Sequence, residues 1–164
     1  MNKEKIKLRG MFRIQITEEG KGVVGDSGWC ENQVTNLGIN QYLVNHLLGD
    51  TGSRKNVTHM ALGTGAAPAS TDTALAGELT AKSSARKTVS TSVVSSRTAQ
   101  FVASFNSSDD FVGSAVTTSV NIANVGLFET STTNAGTLFA GNTYASSSCA
   151  SNQNVVVTYQ IRFS

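Results

Sequence analysis

Residues 5–17 read KIKLRGMFRIQIT, and apolar and polar side chains alternate along them. Ile6, Leu8, Phe12, Ile14 and Ile16 fall on one face, and Lys5, Lys7, Arg9, Arg13 and Gln15 on the other. A period of two with one apolar face is the mark of a half-buried strand. The same signal returns at the far end, in NVVVTYQIRF, where Val155, Val157, Tyr159, Ile161 and Phe163 share a face. Between them VTHMALG, TVSTSVVS, RTAQFVASF and GTLFAGNTY read as further strands. SVNIANVGLF carries Val120 and Ile122, then Val125, Leu127 and Phe128 after a bulge or turn. Short strands set off by Gly, Asn and Ser turns, with Pro68 the single proline, point to a β-sandwich or barrel.

One segment breaks the β pattern. TNLGINQYLVNHLLGD predicts a short α-helix near residues 36–48, capped by Thr35 or Asn36 and stopped at Gly49. Ile39, Leu43 and Leu47, with Tyr42 and Leu48 beside them, form its expected buried stripe. The Ser-rich stretch 147–154 reads as an exposed connector before the last strand.

The segment HMALGTGAAPASTDTAL poses the question of chemistry. A Gly-Thr-Gly after a short strand invites comparison with a phosphate-binding loop, and Asp72-Thr-x-Leu75 with a helix start. A P-loop needs a lysine directly after its second glycine, and none appears until Lys82; the dinucleotide fingerprint needs a third glycine, and position 68 is proline. His46 and His59 lack a positioned partner in sequence, and His59 reads as a partly buried, hydrogen-bonded strand residue. The Asp109-Asp110 pair reads as a solvated turn. The expectation is a non-enzyme with no metal, no cofactor and no catalytic residue. Cys30 and Cys149 stand far apart outside any metal-binding spacing and read as two free thiols, pairing only if the fold brings them together.

Composition narrows the class. The 164 residues suffice for one domain with a real core. Charged residues are 15% of the chain, against about 25% in an ordinary soluble domain. A weakly ionic surface suits a subunit packed against neighbours, and suits equally a solvated β-protein rich in Ser and Thr. A net charge of +2, with the one basic cluster MNKEKIKLRG interrupted by Glu4, gives no ground for nucleic-acid binding. No apolar run is long enough to span a membrane as a helix, and no secretory signal is visible.

The order of landmarks is distinctive: GWCENQVTNLGINQYLVNHLLG, then HMALGTGAAPASTDTALAGEL, FVASF, NIANVGLFET, AGTLFAG and VVVTYQIRF. Over residues 28–163 it resembles small virion structural proteins of tailed bacteriophages, in the decoration, head-fibre and tail-fibre-like group. One departure is Asn124, which stands where an acidic residue usually precedes the VGLFE segment. The resemblance implies a β-sandwich, jelly-roll-like subunit that acts by packing, as a trimer or other closed homo-oligomer in the virion. Its partners would be the major capsid protein or tail and neck proteins, with assembly in the host cytoplasm. Residues 1–27 would then be an N-terminal strand or arm with a basic outer face, and 28–164 a single sandwich domain. Candidate contacts are Lys5, Lys7, Arg9 and Arg13 on that strand, either added to a partner's sheet or paired within the subunit, and Gly63, Thr64 and Gly65 in the loop. A capsid decoration or cement role stands first, a tail, baseplate or neck fibre or adaptor second, and a carbohydrate- or receptor-binding module third.

Overall fold

The computed structural model of the chain describes residues 7–80, 86–106 and 119–164. Ten strands form an antiparallel sheet: β1 (Leu8–Glu18), β2 (Gly22–Asp26), β3 (Cys30–Val34), β4 (His59–Gly63), β5 (Lys87–Thr88), β6 (Ser90–Ser95), β7 (Thr98–Asn106), β8 (Ser119–Phe128), β9 (Ala140–Ala150) and β10 (Gln153–Phe163). The path runs β5-β4-β8-β9-β3-β1-β10-β7-β6, with β2 added beside β1. Its two ends, β5 and β6, are separated in sequence by Val89 alone, so the sheet comes close to closing on itself as a barrel. The mainly β expectation with one short helix therefore holds.

The first and last strands make the longest seam. β1 and β10 pair from Leu8↔Phe163 to Glu18↔Gln153, and β7 continues the sheet beyond β10. Cross-strand partners point to one face, so Phe12 meets Tyr159 and Ile14 meets Val157 inside the barrel, all of them buried. On its other side β1 pairs with β2 and β3. The backbone of β1 is thus used on both sides. Within the segment set apart as an N-terminal arm, β1 lies in the middle of the sheet and pairs within the subunit on both sides rather than offering an edge. The bulge expected in SVNIANVGLF is present, as a register shift between Ile122 and Asn124 where β8 meets β9.

Two expectations fail for physical reasons. The Ser-rich stretch is no connector up to Ala150: Ser147 to Ala150 complete β9, paired with Ile122 to Ser119, because Cys149 is buried in the core and fixes its strand. The helix start expected at Asp72 is a turn; the Asp72 carboxylate accepts from the Ala69 N–H at 2.9 Å and closes it locally.

The helix is present but differently faced. It comprises α1 (Asn36–Ile39), a π-helical turn (Asn40–Val44) and α2 (Asn45–Leu47). Thr35 caps it, accepting from the Gly38 N–H at 2.8 Å, and Gly49 ends it at φ +67°. Gly38 presses on the chain just before β9, where a Cβ would collide with the Phe139 carbonyl. The wider π turn rotates the residues after it, so the predicted stripe splits. Tyr42 is buried and Leu43 packs on the core, but Ile39, Leu47 and Leu48 are exposed.

Candidate functional site

The Gly-Thr-Gly segment is clasped by the chain itself. The Thr64 N–H donates to the Gly77 carbonyl at 3.0 Å, and the Gly65 N–H to the Ala76 carbonyl at 3.1 Å. These are the groups a phosphate would need, and they are already used. A Cβ at Gly63 would strike the Asn124 Oδ1, and one at Gly65 the Ala76 carbonyl, so both positions need glycine for close approach. Asn124, fully buried on β8, donates from Nδ2 to Ala66 O (3.1 Å) and Ala76 O (2.8 Å). An amide suits this position, since a carboxylate donates nothing to two carbonyls and an amide donates to both.

A second fastening lies behind this clasp. Arg86 forks onto Glu78, with Nε to Oε1 at 2.6 Å and Nη2 to Oε2 at 2.8 Å. Both side chains are 1% exposed. Arg86 Nη1 also donates to the carbonyls of Thr130 and Ala135, and the guanidinium lies 3.6 Å from the centroid of the Phe128 ring. Every side of the buried cation is engaged, which is the condition under which such a pair is tolerable.

The contrasting feature is an apolar mouth of about 650 Å³ between the helix and the inner faces of β6, β7 and β10. Leu43 and Leu47 line it from the helix, Phe101 from β7, and Ile161 and Phe163 from β10. It is open where the helix fails to cover the sheet: Leu47 is 88% exposed, and Val93, cross-strand from the mouth residue Ala99, is 80% exposed. That volume and lining are those of a binding cleft.

One polar cluster borders the mouth and anchors the helix. The Tyr42 hydroxyl lies 2.6 Å from both Glu129 Oε2 and the Thr137 carbonyl. Lys55 pairs with Glu129 Oε1 and donates to Thr137 Oγ1 at 2.6 Å, and the Thr137 N–H donates to the same carboxylate. Burial pushes Glu129 upward, but the hydrogen bonds from Lys55, Tyr42 and Thr137 outweigh it and hold the carboxyl below the ordinary glutamate value. Burial and the Glu129 charge push the Tyr42 hydroxyl far up, so it stays a protonated donor.

The residues singled out in the sequence are scattered. Lys5 lies outside the described residues, as do Lys82 and the Asp109-Asp110 pair. Lys7 and Arg9 are exposed. Arg13 is committed to Asp26, with Nε to Oδ1 at 2.9 Å. Gly63 is buried and Thr64 exposed, both at the clasp and away from the mouth lining. The mouth itself was missed. Two signals mark it: the doublet Leu47-Leu48 ahead of the Gly49 stop, and the adjacent valines in STSVVS, which cannot both face inward on a strand.

The reactive side chains are held in local structural bonds. The Thr58 hydroxyl donates to the Glu129 carbonyl at 2.7 Å and accepts from His59 Nδ1 at 2.8 Å; burial lowers the pKa of His59. Cys30 and Cys149 are both free, and burial pushes the Cys149 thiol up to about 11. Among the described residues no three His, Cys, Asp or Glu side chains gather to hold a metal, and no helix is long and apolar enough to cross a membrane. Tyr42 and Tyr159 are core residues, Tyr144 packs on the core, and the exposed Trp29 has Arg162 over its ring at 5.9 Å. Comparison of the chain with family models, curated proteins and solved structures finds no match.

Proposed function

We propose that the chain is a non-enzymatic structural component of a tailed-phage virion, a capsid decoration or cement protein that stabilises the head through protein–protein contacts. The observation that carries this reading is the uncovered apolar mouth, with Leu47, Leu48 and Val93 exposed on a surface poor in charge. Covering such surface gains about 25 cal/mol per Å², and a subunit that binds only the assembled shell stabilises it by mass action. The sandwich-like, jelly-roll-like arrangement belongs to the same proposal. It is supported by β3, which joins β1 to β9, and by Val89, which joins β5 to β6, as two seams between flattened layers.

The test is quantitative mass spectrometry on purified particles of the phage that encodes the chain, with heat and osmotic challenge of particles lacking it. Many copies per particle, and heads that rupture sooner without them, are expected. A dozen copies or fewer would move the protein to a closed ring in the tail, baseplate or neck, and absence from the particle would end the virion reading.

A further inference from the structure

β6 ends the strand path and pairs with β7 alone, in the register Thr91↔Phe101 and Val93↔Ala99. All six of its residues are exposed, and among the described residues no backbone group on its outer edge has a hydrogen-bond partner. Open edges are ordinarily blunted by lysine, by proline, by an inward charge or by a cover. Residues 90–96, STSVVSS, carry no charge and no proline. The one defence is a register shift between Val93 and Ser95, which leaves the stretch from Ser90 to Val93 regular. An extended backbone is what satisfies such an edge, so its main chain specifies the form of its occupant.

We infer that β6 is a self-association edge, at which a second copy of this chain adds its own β6 antiparallel about a two-fold axis through Ser92. A two-fold normal to the sheet keeps both inner faces on one side, so residues of the same parity must meet. Centred on Ser92, the register sets Ser92 against Ser92, and Thr91 of each copy against Val93 of the other. Two β-branched cross-strand pairs then lie on the inner face, a combination that favours pairing. Thr91 already lines the mouth, so Val93 of the second copy comes over its rim. The uncharged edge meets itself with no like-charge repulsion, whereas the basic face of β1 could not do so. Identical edges paired in this way close at two copies, in place of the trimer the family resemblance implies. The inference rests on the edge and not on the virion reading: a dimer can form whether or not the protein is carried on a particle.

Sedimentation of the whole chain over a wide concentration range tests it, with far-UV circular dichroism to establish folding. The wild type is expected to be a dimer. Ser92→Lys and Ser92→Glu each place like charges face to face at the axis, and each is expected to weaken the dimer at least about tenfold, or 1.4 kcal/mol. Mixed together they restore it, since opposite charges then face. Val24→Lys, at an exposed valine on β2, leaves the dimer intact. A wild type that sediments as a monomer or a trimer overturns the inference, as does a Ser92→Lys protein that remains a full dimer or a mixture that fails to recover it.

Discussion

The clasp around Gly63–Gly65 and the mouth beside the helix are built from the same chain by opposite rules. In the clasp the donors are spent internally: two loop N–H groups on carbonyls, an asparagine amide on two more, and a fully buried arginine on a glutamate. The loop N–H groups that a phosphate would need are already spent. At the mouth about 650 Å³ is lined mostly by apolar side chains, with His46, Lys55, Asn56 and Thr91 the polar residues among them, and the Glu129 cluster lies beside it. A glycine-rich loop looked like the place for chemistry and is a fastening. Leu47, expected in the buried stripe of the helix, stands instead at the rim of the open surface. Stability should therefore concentrate at the first region and association at the second.

The largest expected effect lies in the clasp. Arg86→Met leaves the Glu78 carboxylate buried without its cation, and breaking a pair of this kind costs about 3–5 kcal/mol. Replacing both members, Arg86→Met with Glu78→Leu, should recover much of that loss, because no charge then remains to be solvated. Urea denaturation of the single and double variants measures both. A single variant as stable as the wild type would show that the clasp does not carry the fold.

Asn124→Asp comes next. It exchanges an amide that donates to Ala66 and Ala76 for a carboxylate facing both carbonyls. An unsatisfied buried group costs about 1–3 kcal/mol, and more when charged. The introduced acid would titrate above the ordinary aspartate value in the folded state, through burial and through the two carbonyls. The folded state then binds the extra proton, so the deficit is smallest below the unfolded pKa and grows as pH rises through the folded one. Urea midpoints of this variant, relative to wild type, should narrow toward acid pH. A deficit that widened on acidification would contradict the assigned contacts.

How far these two regions could be read from the sequence follows from the range of the interactions. Period-two alternation placed β1, β7, β8 and β10, and it put Phe12, Phe105, Val157 and Tyr159 in the core, because a strand's facing is decided by neighbours two residues away. Thr35 and Gly49 were legible as helix ends for the same local reason. The π turn was not, since one extra residue per turn leaves no compositional trace, and with it went the correct face of Leu47. The first half of β9 was legible in GTLFAGNTY, but its second half hid within its serines because pairing with β8 outweighs their weak strand preference. The Arg86–Glu78 pair spans eight residues in sequence, yet Arg86 is completed by Thr130 and Ala135, which only the closed fold brings near. The residues expected to bind were picked by strand charge and by the small-residue loop, whereas the mouth is marked by exposed apolar side chains.

A smaller effect tests the polar corner that joins the two regions. Glu129 has a folded pKa below its ordinary value. Its contribution is therefore present above the unfolded pKa and is lost as pH falls through the depressed folded one. Glu129→Gln should lower stability at neutral pH by about 1.5 kcal/mol, the lower end of the range for hydrogen bonds to a charged group. It should also flatten the acid limb of a plot of urea midpoint against pH. Equal acid limbs in the two proteins would mean that Lys55 and Tyr42 do not depend on this carboxylate.

The smallest effect on stability belongs to Leu47→Lys, and it separates the regions most sharply. Leu47 is 88% exposed, so little of it leaves water on folding, and such surface changes stay within about 0.5 kcal/mol. The charged head would nonetheless stand at the rim of the mouth, where a dye such as anilinonaphthalene sulfonate gains by entering apolar surface. If the sulfonate were the main attraction, the added lysine would strengthen binding. If the apolar wall is what the dye reads, the loss of Leu47 weakens it while the unfolding curve stays in place. Weaker dye binding at unchanged stability is the expected pair of results. The reverse pair, an unfolding curve that shifts while dye binding holds, would make Leu47 part of the core and the mouth a closed cavity rather than a surface left for another molecule.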